Sequence, residues 1–271
     1  MEAIFYGLYQ FVIIGIAVGF LGGFLGVGGG IIMIPLLHYW AFPALNVSPE
    51  VIVHLSFGTS LAIIIPTSIS GSWAHAKTGN IDWRVVLLLA LPGIFGSLLG
   101  STMAALLKGY VLKASFGSLL ILISAQMIFQ KKGKGESGPY ASPPSGLTFV
   151  IGFLVGVFSG FFGLGGGVIA IPLMIRFLGI PIHRAVGISI AFVFFASLVG
   201  TCGYIWNGLG KPQLPPYTLG YVHILGWLLA VVPSVFLAQV GAGFARKTNP
   251  LRLRRAFALL LMGVGIRMLI N

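Results

Sequence analysis

Residues 22–37 read GGFLGVGGGIIMIPLL, and residues 159–174 read SGFFGLGGGVIAIPLM. The stretches are two copies of one pattern, 137 residues apart, in which a triple glycine precedes an apolar run with a proline. Each glycine inside a helix costs about 0.8–1 kcal/mol relative to alanine, so the triple glycines predict breaks in the backbone. We expect a half-helix to begin after each one, at Ile31 and Val168, and the two breaks to form the functional centre.

The composition is typical of a multi-pass membrane protein. The 271 residues are 57% hydrophobic and only 7% charged, against about 25% charged in an average soluble domain. A soluble helical protein cannot expose this much apolar surface without aggregating. A net charge of +12 would suggest nucleic acid in a soluble protein. Here the basic residues lie mainly in loops, where they indicate membrane topology and lipid headgroups. We therefore expect the lipid bilayer as a partner and no nucleic acid.

The apolar segments form two halves with the same internal order. Segments A to E lie at about 3–21, 31–43, 51–73, 83–107 and 111–129, and segments A′ to E′ at about 146–162, 168–182, 185–206, 219–245 and 253–270. Offsets of 137, 129 and 141 residues align the halves and change only in loops. We predict an all-α integral membrane protein with a first transmembrane repeat at 1–130, a cytoplasmic linker at 131–145 and a second transmembrane repeat at 146–271.

Loop charges indicate that the two repeats have inverted topology. Segment B has about 13 residues, fewer than the roughly 20 that a spanning helix needs. Each half therefore has either three full crossings with a re-entrant A–B hairpin, or five crossings of which some are short or broken. Both counts are odd and predict inversion. Inverted halves leave four of the 16 basic residues outside the cytoplasm, together with both termini, in accord with the positive-inside rule. Those four are Lys108, Lys113, Lys211 and Arg267.

The broken helices predict an anion-binding site. Broken backbone occurs at membrane depth only where it is buried in protein or lines a cavity. The N-terminus of a helix carries unpaired N–H groups and a partial positive charge, which favour an anion near the bilayer midplane. The candidate residues are Gly28, Gly29, Gly30, Gly165, Gly166 and Gly167. The alternative is that these glycines only pack helices, as in Gly22/Gly26. Packing explains that spacing but not a triple glycine that occurs twice.

Segment C and its repeat add polar candidates. Thr59, Ser60 and Ser189 lie beside Gly58 and Gly187 and can donate hydrogen bonds to an oxyanion without adding charge. The alternative role is interhelical hydrogen bonding, worth about 0.6 kcal/mol on average in membranes. His54 and His183 are equivalent in the two halves, although histidine is also ordinary near segment ends. Further polar side chains follow in segment C at Ser68, Ser70, Ser72 and His75.

The acidic residues argue against other functions. Glu2, Glu50, Asp82 and Glu136 all lie in loops or at segment edges, so no intramembrane carboxylate is available for a cation site or a proton relay. No nucleophile is paired with a positioned base, as a membrane enzyme would need. No His-x-x-x-His pair supports a metal site. We therefore predict no enzymatic activity, no metal and no cofactor.

With these motifs, the chain resembles the sulfite exporter TauE/SafE family of membrane permeases. The resemblance rests on the duplicated glycine stretches, Gly28 to Pro35 and Gly165 to Pro172, on Gly58-Thr59-Ser60, and on the two-half layout. The second half departs from this pattern with Gly187-Ile188-Ser189, so a fully symmetric site is not expected. The resemblance implies export of sulfite or a small organosulfonate across a bacterial-type inner (plasma) membrane.

Three classes of function follow. The leading hypothesis is a secondary transporter of a small sulfur-containing anion that works by alternating access between inverted repeats, with the anion held at the half-helix N-termini. The alternative is an anion channel of the same architecture, which saturable flux with trans-stimulation would exclude. A membrane enzyme or accessory subunit is disfavoured by the missing catalytic pair. The identity of the anion stays open, as does assembly into a homodimer.

Overall fold

A computed structural model describes residues 2–25, 29–77, 79–129, 143–245 and 250–270. Nearly all of these residues are helical. The helices are α1 (Glu2–Leu25), α2 (Gly30–Leu36), α3 (Phe42–Ala44), α4 (Ile52–Lys77), α5 (Trp83–Leu106), α6 (Gly109–Phe129), α7 (Ser145–Phe162), α8 (Gly167–Leu178), α9 (Ile182–Gly208), α10 (Ile224–Ala245) and α11 (Pro250–Ile270). A π-helical turn, Leu37–Ala41, joins α2 to α3.

The helix lengths fit a membrane protein that contains both full and broken crossings. Within the described ranges, α4, α5, α6, α7 and α9 are long and apolar enough to span a bilayer. Shorter apolar helices cover Leu8–Gly22, Gly30–Ala44, Gly167–Leu178, Ile224–Val240 and Ala258–Ile270. Helices satisfy their backbone hydrogen bonds internally, which a bilayer requires. The predicted all-α integral membrane class is confirmed. The division into repeats stays a prediction, and most of the 131–145 linker lies outside the described residues.

Segment D′ begins later than the apolar pattern predicts. Instead of a helix from residue 219, Thr218–Leu219 (β1) and Val222–His223 (β2) form a two-stranded antiparallel hairpin, and α10 starts at Ile224. Gly220 turns the hairpin with φ +55°, a left-handed conformation that glycine adopts without steric cost. Segment B′ also ends early, at Leu178, because Gly179 caps α8 in a left-handed conformation.

Each half packs on the other in a reciprocal pattern. Helix α1 (segment A) lies against α10 (D′), and α5 (D) lies against α7 (A′). Helix α4 (C) packs on α9 (C′), and α6 (E) packs on α11 (E′). If each segment of one half is replaced by the equivalent segment of the other half, the list of contacting pairs stays the same. This is the contact pattern that two repeats related by an approximate two-fold operation would show.

Glycines allow the closest of these helix pairs to touch backbone to backbone. A Cβ atom built on Gly156 of α7 would collide with the carbonyl oxygen of Gly93 in α5. On the other pair, a Cβ on Gly19 of α1 would collide with the carbonyl oxygen of Ser234 in α10. Small residues at four-residue spacing let membrane helices approach in this way, where packing replaces the hydrophobic effect as the driving force.

Equivalent helices of the two halves run in opposite directions. Gly71 of α4 faces Ile190 of α9, while the later residue Gly200 of α9 faces the earlier Leu61 of α4. Helices α6 and α11 are also antiparallel, because Gly117 faces Gly265 whereas Ser124 donates a hydrogen bond to the Ala258 carbonyl. Parallel repeats would place equivalent helices in the same direction. These two helix pairs run in the directions that inverted repeats require, and the inverted repeats themselves stay a prediction.

We predict that Gly156→Ala destabilises the protein and that Gly146→Ala on the same helix does not. At Gly156 the new methyl group collides with the Gly93 backbone, and overpacking of this kind costs about 1–3 kcal/mol. At Gly146 nothing lies within 4 Å of the new atom, and alanine favours the helix by up to about 1 kcal/mol. Thermal unfolding of the detergent-purified variants, followed by tryptophan fluorescence, measures the difference. Equal midpoints would contradict glycine-dependent packing of α5 on α7.

Candidate functional site

Each glycine motif places a left-handed glycine at the N-terminus of a half-helix. Gly29 caps α2 with φ 73°, and Gly166 caps α8 with φ 83°. The first turns close on these caps, since Met33 donates its N–H to the Gly29 carbonyl and Ala170 donates to that of Gly166. The N–H groups before that turn have no acceptor within their own helix. The half-helices thus begin at Gly30 and Gly167, one residue earlier than predicted.

The two N-termini meet near the middle of the structure. We call Gly29–Gly30 and Gly165–Gly167 the helix tips. A Cβ atom built on Gly30 would lie 2.9 Å from the carbonyl oxygen of Leu164 and 3.0 Å from Cδ1 of Ile64. One built on Gly165 would lie 3.2 Å from Cγ2 of the same Ile64. The fold therefore brings five of the six predicted glycines into one region, and Gly28 lies outside the described residues.

A cavity of about 150 Å³ adjoins the helix tips. Gly167, Met33 and Ile64 form its inner wall. Its polar lining comes mainly from hydroxyl and amide side chains at Thr67, Ser68, Ser70, Ser189, Ser234 and Gln239, together with His75. None of the described Asp, Glu, Lys or Arg residues lines it. The cavity therefore combines neutral polar side chains with the N-terminus of α8 at Gly167, and no described side chain gives it a fixed negative charge, a combination suited to an anion.

The cavity reaches one end of the bundle and is closed toward the other. Along α4 its lining runs from the buried Ser68 to the exposed Ala74, and α10 contributes the exposed Gln239 at the same end. In the opposite direction Ile64, Leu61 and Tyr204 are at most 1% exposed. Access to the helix tips is thus one-sided.

Of the remaining predicted site residues, only Ser189 lies at the cavity. His54 is near the start of α4, where its Nε2 is 3.0 Å from the Leu107 carbonyl oxygen and its ring stacks on Tyr221. His183 is exposed at the start of α9. Ser60 is fully buried without a hydrogen-bond partner among the described residues. Of the hydroxyl candidates, Ser189 alone lines the cavity, and it donates a 3.5 Å hydrogen bond to the Gly167 carbonyl.

Gly58 and Thr59 hold the β1–β2 hairpin against α4. The Thr59 hydroxyl oxygen accepts a 3.0 Å hydrogen bond from the backbone N–H of His223. A Cβ atom on Gly58 would collide with the carbonyl oxygen of Tyr221. The second half repeats this contact, since Gly187 abuts the backbone of Asn80 in the loop before α5. The Gly-Thr pair thus serves to dock a loop from the other half.

His223 caps α10 from the hairpin, outside the membrane-spanning helices. Its Nδ1 accepts a 2.8 Å hydrogen bond from the N–H of Gly226, and its ring stacks on Phe11. Burial lowers the pKa of the His223 imidazole to about 4, so the ring is neutral and Nδ1 is free to accept at physiological pH. The equivalent residue of the first half, Asp82, caps α5 by accepting from Arg84 and Val85. The 141-residue offset between Asp82 and His223 is the sequence signal that could have identified this cap.

Comparison with known proteins identifies related chains over nearly the full length. The family described as "Sulfite exporter TauE/SafE" matches residues 11–268. A "Probable membrane transporter protein" of Haemophilus influenzae is 29% identical over 259 residues, which cover 96% of this chain and 97% of the relative. One from Methanocaldococcus jannaschii is 28% identical over 261 residues (96% and 94%), and one from Bacillus subtilis is 27% identical over 278 residues (95% and 96%). No solved structure matches the chain.

We predict that Thr59→Val loosens the hairpin, whereas Thr59→Ser preserves it. Valine keeps the volume but leaves the His223 N–H without its acceptor in a buried place, which costs about 1–3 kcal/mol. Serine retains the hydroxyl oxygen. Hydrogen exchange measured by mass spectrometry should be faster for the 218–224 peptide in Thr59→Val and near wild type in Thr59→Ser. Equal exchange in the two variants would mean that the Thr59 hydroxyl does not anchor the hairpin.

Proposed function

Because the chain belongs to the sulfite exporter TauE/SafE family, we propose that it exports a small sulfur-containing anion, such as sulfite or an organosulfonate, across the inner membrane. Its relatives are named probable membrane transporter proteins, and five helices within the described ranges are long and apolar enough to cross a bilayer. The protein is thus a multi-pass membrane transporter and not an enzyme. We propose in addition its substrate class, its direction of transport and its mechanism.

The observation that carries the anion assignment is the meeting of two helix N-termini beside a cavity whose mostly apolar lining includes several hydroxyl side chains. Each N-terminus is equivalent to roughly half a positive charge and offers unpaired N–H donors. Ser68 and Ser189 add neutral hydroxyls that could turn from the carbonyls of Ile65 and Gly167 toward an oxyanion, and His75 adds a group that can carry a proton. In other transporters, the N-termini of broken helices bind anionic groups of the substrate. We infer that Gly29, Gly30 and Gly165 to Gly167 face the sulfonate or sulfite oxygens.

One-sided access supports alternating access as the mechanism. The cavity ends at the exposed C-terminal ends of α4 and α10, beside loops whose basic residues are predicted to be cytoplasmic. In the other direction the path is closed by Ile64, Leu61 and Tyr204. The antiparallel packing of equivalent helices supports inverted repeats, which can exchange conformations to open the opposite face. We assign this structure to the state that loads the anion from the cytoplasm.

The proposal is tested first by binding and flux. Purified protein is screened by thermal shift against sulfite, sulfate, thiosulfate, taurine, isethionate and sulfoacetate, and radiolabelled hits are then followed in proteoliposomes. We expect stabilisation by at least one sulfur oxyanion and saturable flux with trans-stimulation. Conductance that does not saturate would identify the channel alternative, and the absence of both binding and flux would contradict the anion assignment.

We predict that Gly166→Ala abolishes most anion flux while Gly179→Ala does not. Both glycines have positive φ and lie at opposite ends of α8, so alanine causes similar strain of roughly 1–2 kcal/mol at each. At Gly166 the new methyl group would also lie 2.9 Å from Val155 and 3.2 Å from Ser159, whereas at Gly179 it meets nothing within 4 Å. We expect about a tenfold or larger loss of flux for Gly166→Ala, or ~1.4 kcal/mol, with equal yields of monodisperse protein. Loss of folded protein in parallel with flux would favour a packing role for Gly166.

We further predict that flux is electrogenic and needs no sodium. Moving one charge through 100 mV is worth about 2.3 kcal/mol, a factor of roughly 50 in the equilibrium gradient, so a cell that is negative inside favours anion exit. Asp82 caps α5 and Glu50 accepts a hydrogen bond from Gln213 in a loop, so neither of these two carboxylates is placed to bind a cation in the cavity. Proteoliposomes with a clamped potassium-diffusion potential provide the measurement. Flux that ignores this potential but follows a pH gradient would indicate proton coupling through histidine, with His75 on the cavity wall as the candidate.

A further inference from the structure

Three fully buried hydroxyls lie near the helix tips without hydrogen-bond partners. Ser60, Ser159 and Ser197 are 0% exposed, and none of their hydroxyls has a partner in the described part of the chain. Such a group costs about 1–3 kcal/mol when it is left unpaired, and native structures contain few of them. Serine in a helix usually donates to a carbonyl of the preceding turn, as Ser68 does to Ile65. The three serines therefore need an explanation other than stability.

The repeat relates these serines to the wall of the cavity. We call residues at equivalent positions of the two halves repeat mates. The mate of Ser197 is Ser68 and that of Ser60 is Ser189, at the offset of 129, and the mate of Ser159 is Gly22, at the offset of 137. All three mates line the cavity. The unpaired hydroxyls thus mark the positions of a second cavity, built from the same elements of the opposite halves.

The second set of positions, which consists of Ser60, Ser159 and Ser197, faces the other end of the bundle. Ile64 and Val193 are repeat mates that both adjoin Gly165. Ser68 follows Ile64 by four residues in α4, and Ser197 follows Val193 by four residues in α9. Because α4 and α9 are antiparallel, these two serines lie on opposite sides of the Ile64–Val193 pair. An opening at Ser197 would therefore lead away from the existing cavity.

In the present structure, direct contacts between helices close the space that Ser60, Ser159 and Ser197 would line. Ser97 of α5 donates a 2.6 Å hydrogen bond to the Ala196 carbonyl of α9. The repeat mates of these two residues are Ala238 and Thr67, which both line the cavity, and Ala238 has no hydroxyl to make the equivalent bond. The same pair of positions is thus joined by a hydrogen bond in one half and borders the cavity in the other. Exchanging the two arrangements would close the cavity and expose Ser60, Ser159 and Ser197.

We propose that Ser60, Ser159 and Ser197 line a second anion-binding vestibule, which opens to the opposite membrane face when the present cavity closes. The proposal rests on the alternating access proposed above. In the open vestibule the three hydroxyls donate hydrogen bonds to the oxygens of the sulfur oxyanion or to water. Their exposure in that state accounts for their lack of partners in this one. The helix tips remain common to both states, so the anion can be passed from one side to the other.

Cysteine accessibility tests the vestibule. Cys202 is the single cysteine of the chain, so Cys202→Ala supplies a thiol-free background. Ser197→Cys and Ser60→Cys probe the vestibule, Ser68→Cys probes the present cavity, and Ser124→Cys is the matched control. Ser124 is equally buried but donates to Ala258 at the α6–α11 contact. Each variant reacts with an impermeant methanethiosulfonate in right-side-out and in inside-out vesicles. Isethionate serves as the anion, because sulfite itself cleaves methanethiosulfonates.

We expect Ser68→Cys to react at least about tenfold faster from the face on which the present cavity opens. Ser197→Cys and Ser60→Cys should react faster from the opposite face, because each state exposes one face only. Isethionate should slow both reactions, and Ser124→Cys should stay unmodified. The proposal is overturned if both vestibule variants stay unmodified from both faces while they still transport. Reaction from the same face as Ser68→Cys, or at the rate of Ser124→Cys, would also overturn it.

The two proposals fail separately in this experiment. If no sulfur oxyanion is transported or gives protection, the assigned substrate class is wrong. Opposite-face labelling of Ser197→Cys would still support the vestibule in that case. If an anion is transported but the vestibule variants never react, the substrate class stands and the vestibule is lost. Ser159→Cys, on α7, replaces either probe that does not fold.

Discussion

The fold depends on keeping the unpaired backbone N–H groups of the broken helices away from lipid. Lipid offers no hydrogen-bond partner, so a broken helix is tolerated only inside protein or beside a cavity. Here both breaks lie together, with Gly30 against the Leu164 carbonyl and Ile64 in contact with both helix tips. The flanking helices have the length to surround the breaks because α4 and α9 each run through 26 or 27 residues. Concentrated N-terminal charge in a dry interior is what makes this point suited to an anion.

The repeated contacts between the halves support the proposal that one cavity is open while the equivalent positions of the other half are closed. Tight contacts such as Gly156 on Gly93 are made by residues that recur in both halves, so each contact has an equivalent. A symmetric chain can still adopt an asymmetric state when equivalent contacts are made in one half and separated in the other. Ser97 donates a hydrogen bond to Ala196, while their repeat mates Ala238 and Thr67 both line the cavity. An exchange of these two arrangements is the two-state element that the proposed alternating access needs.

Much of this architecture was predictable, because its signals are local. The triple glycines interrupt helices wherever they lie, so the starts of α2 and α8 were placed within one residue. The candidate site was predictable only in part. Gly167 and Ser189 line the cavity, whereas Thr59 holds a hairpin and His54 contacts Leu107. Ser234 and Gln239 line it from α10, yet nothing in their local sequence distinguishes them from serine and glutamine that face other helices.

The sequence by itself determined the membrane class, the duplication, the positions of the helix breaks and the family. Composition, repeat offsets and glycine runs are properties of the linear sequence and do not depend on which residues meet in space. Tertiary structure alone decided which residues face the cavity, since that depends on how α4, α9 and α10 rotate and approach one another. It also decided that residues 218–223 form a hairpin, because the contacts that hold it come from Gly58 and Thr59, about 160 positions earlier. Which side of the Ile64–Val193 pair is open was likewise decided by packing, because the repeated motifs place polar residues on both sides of the pair.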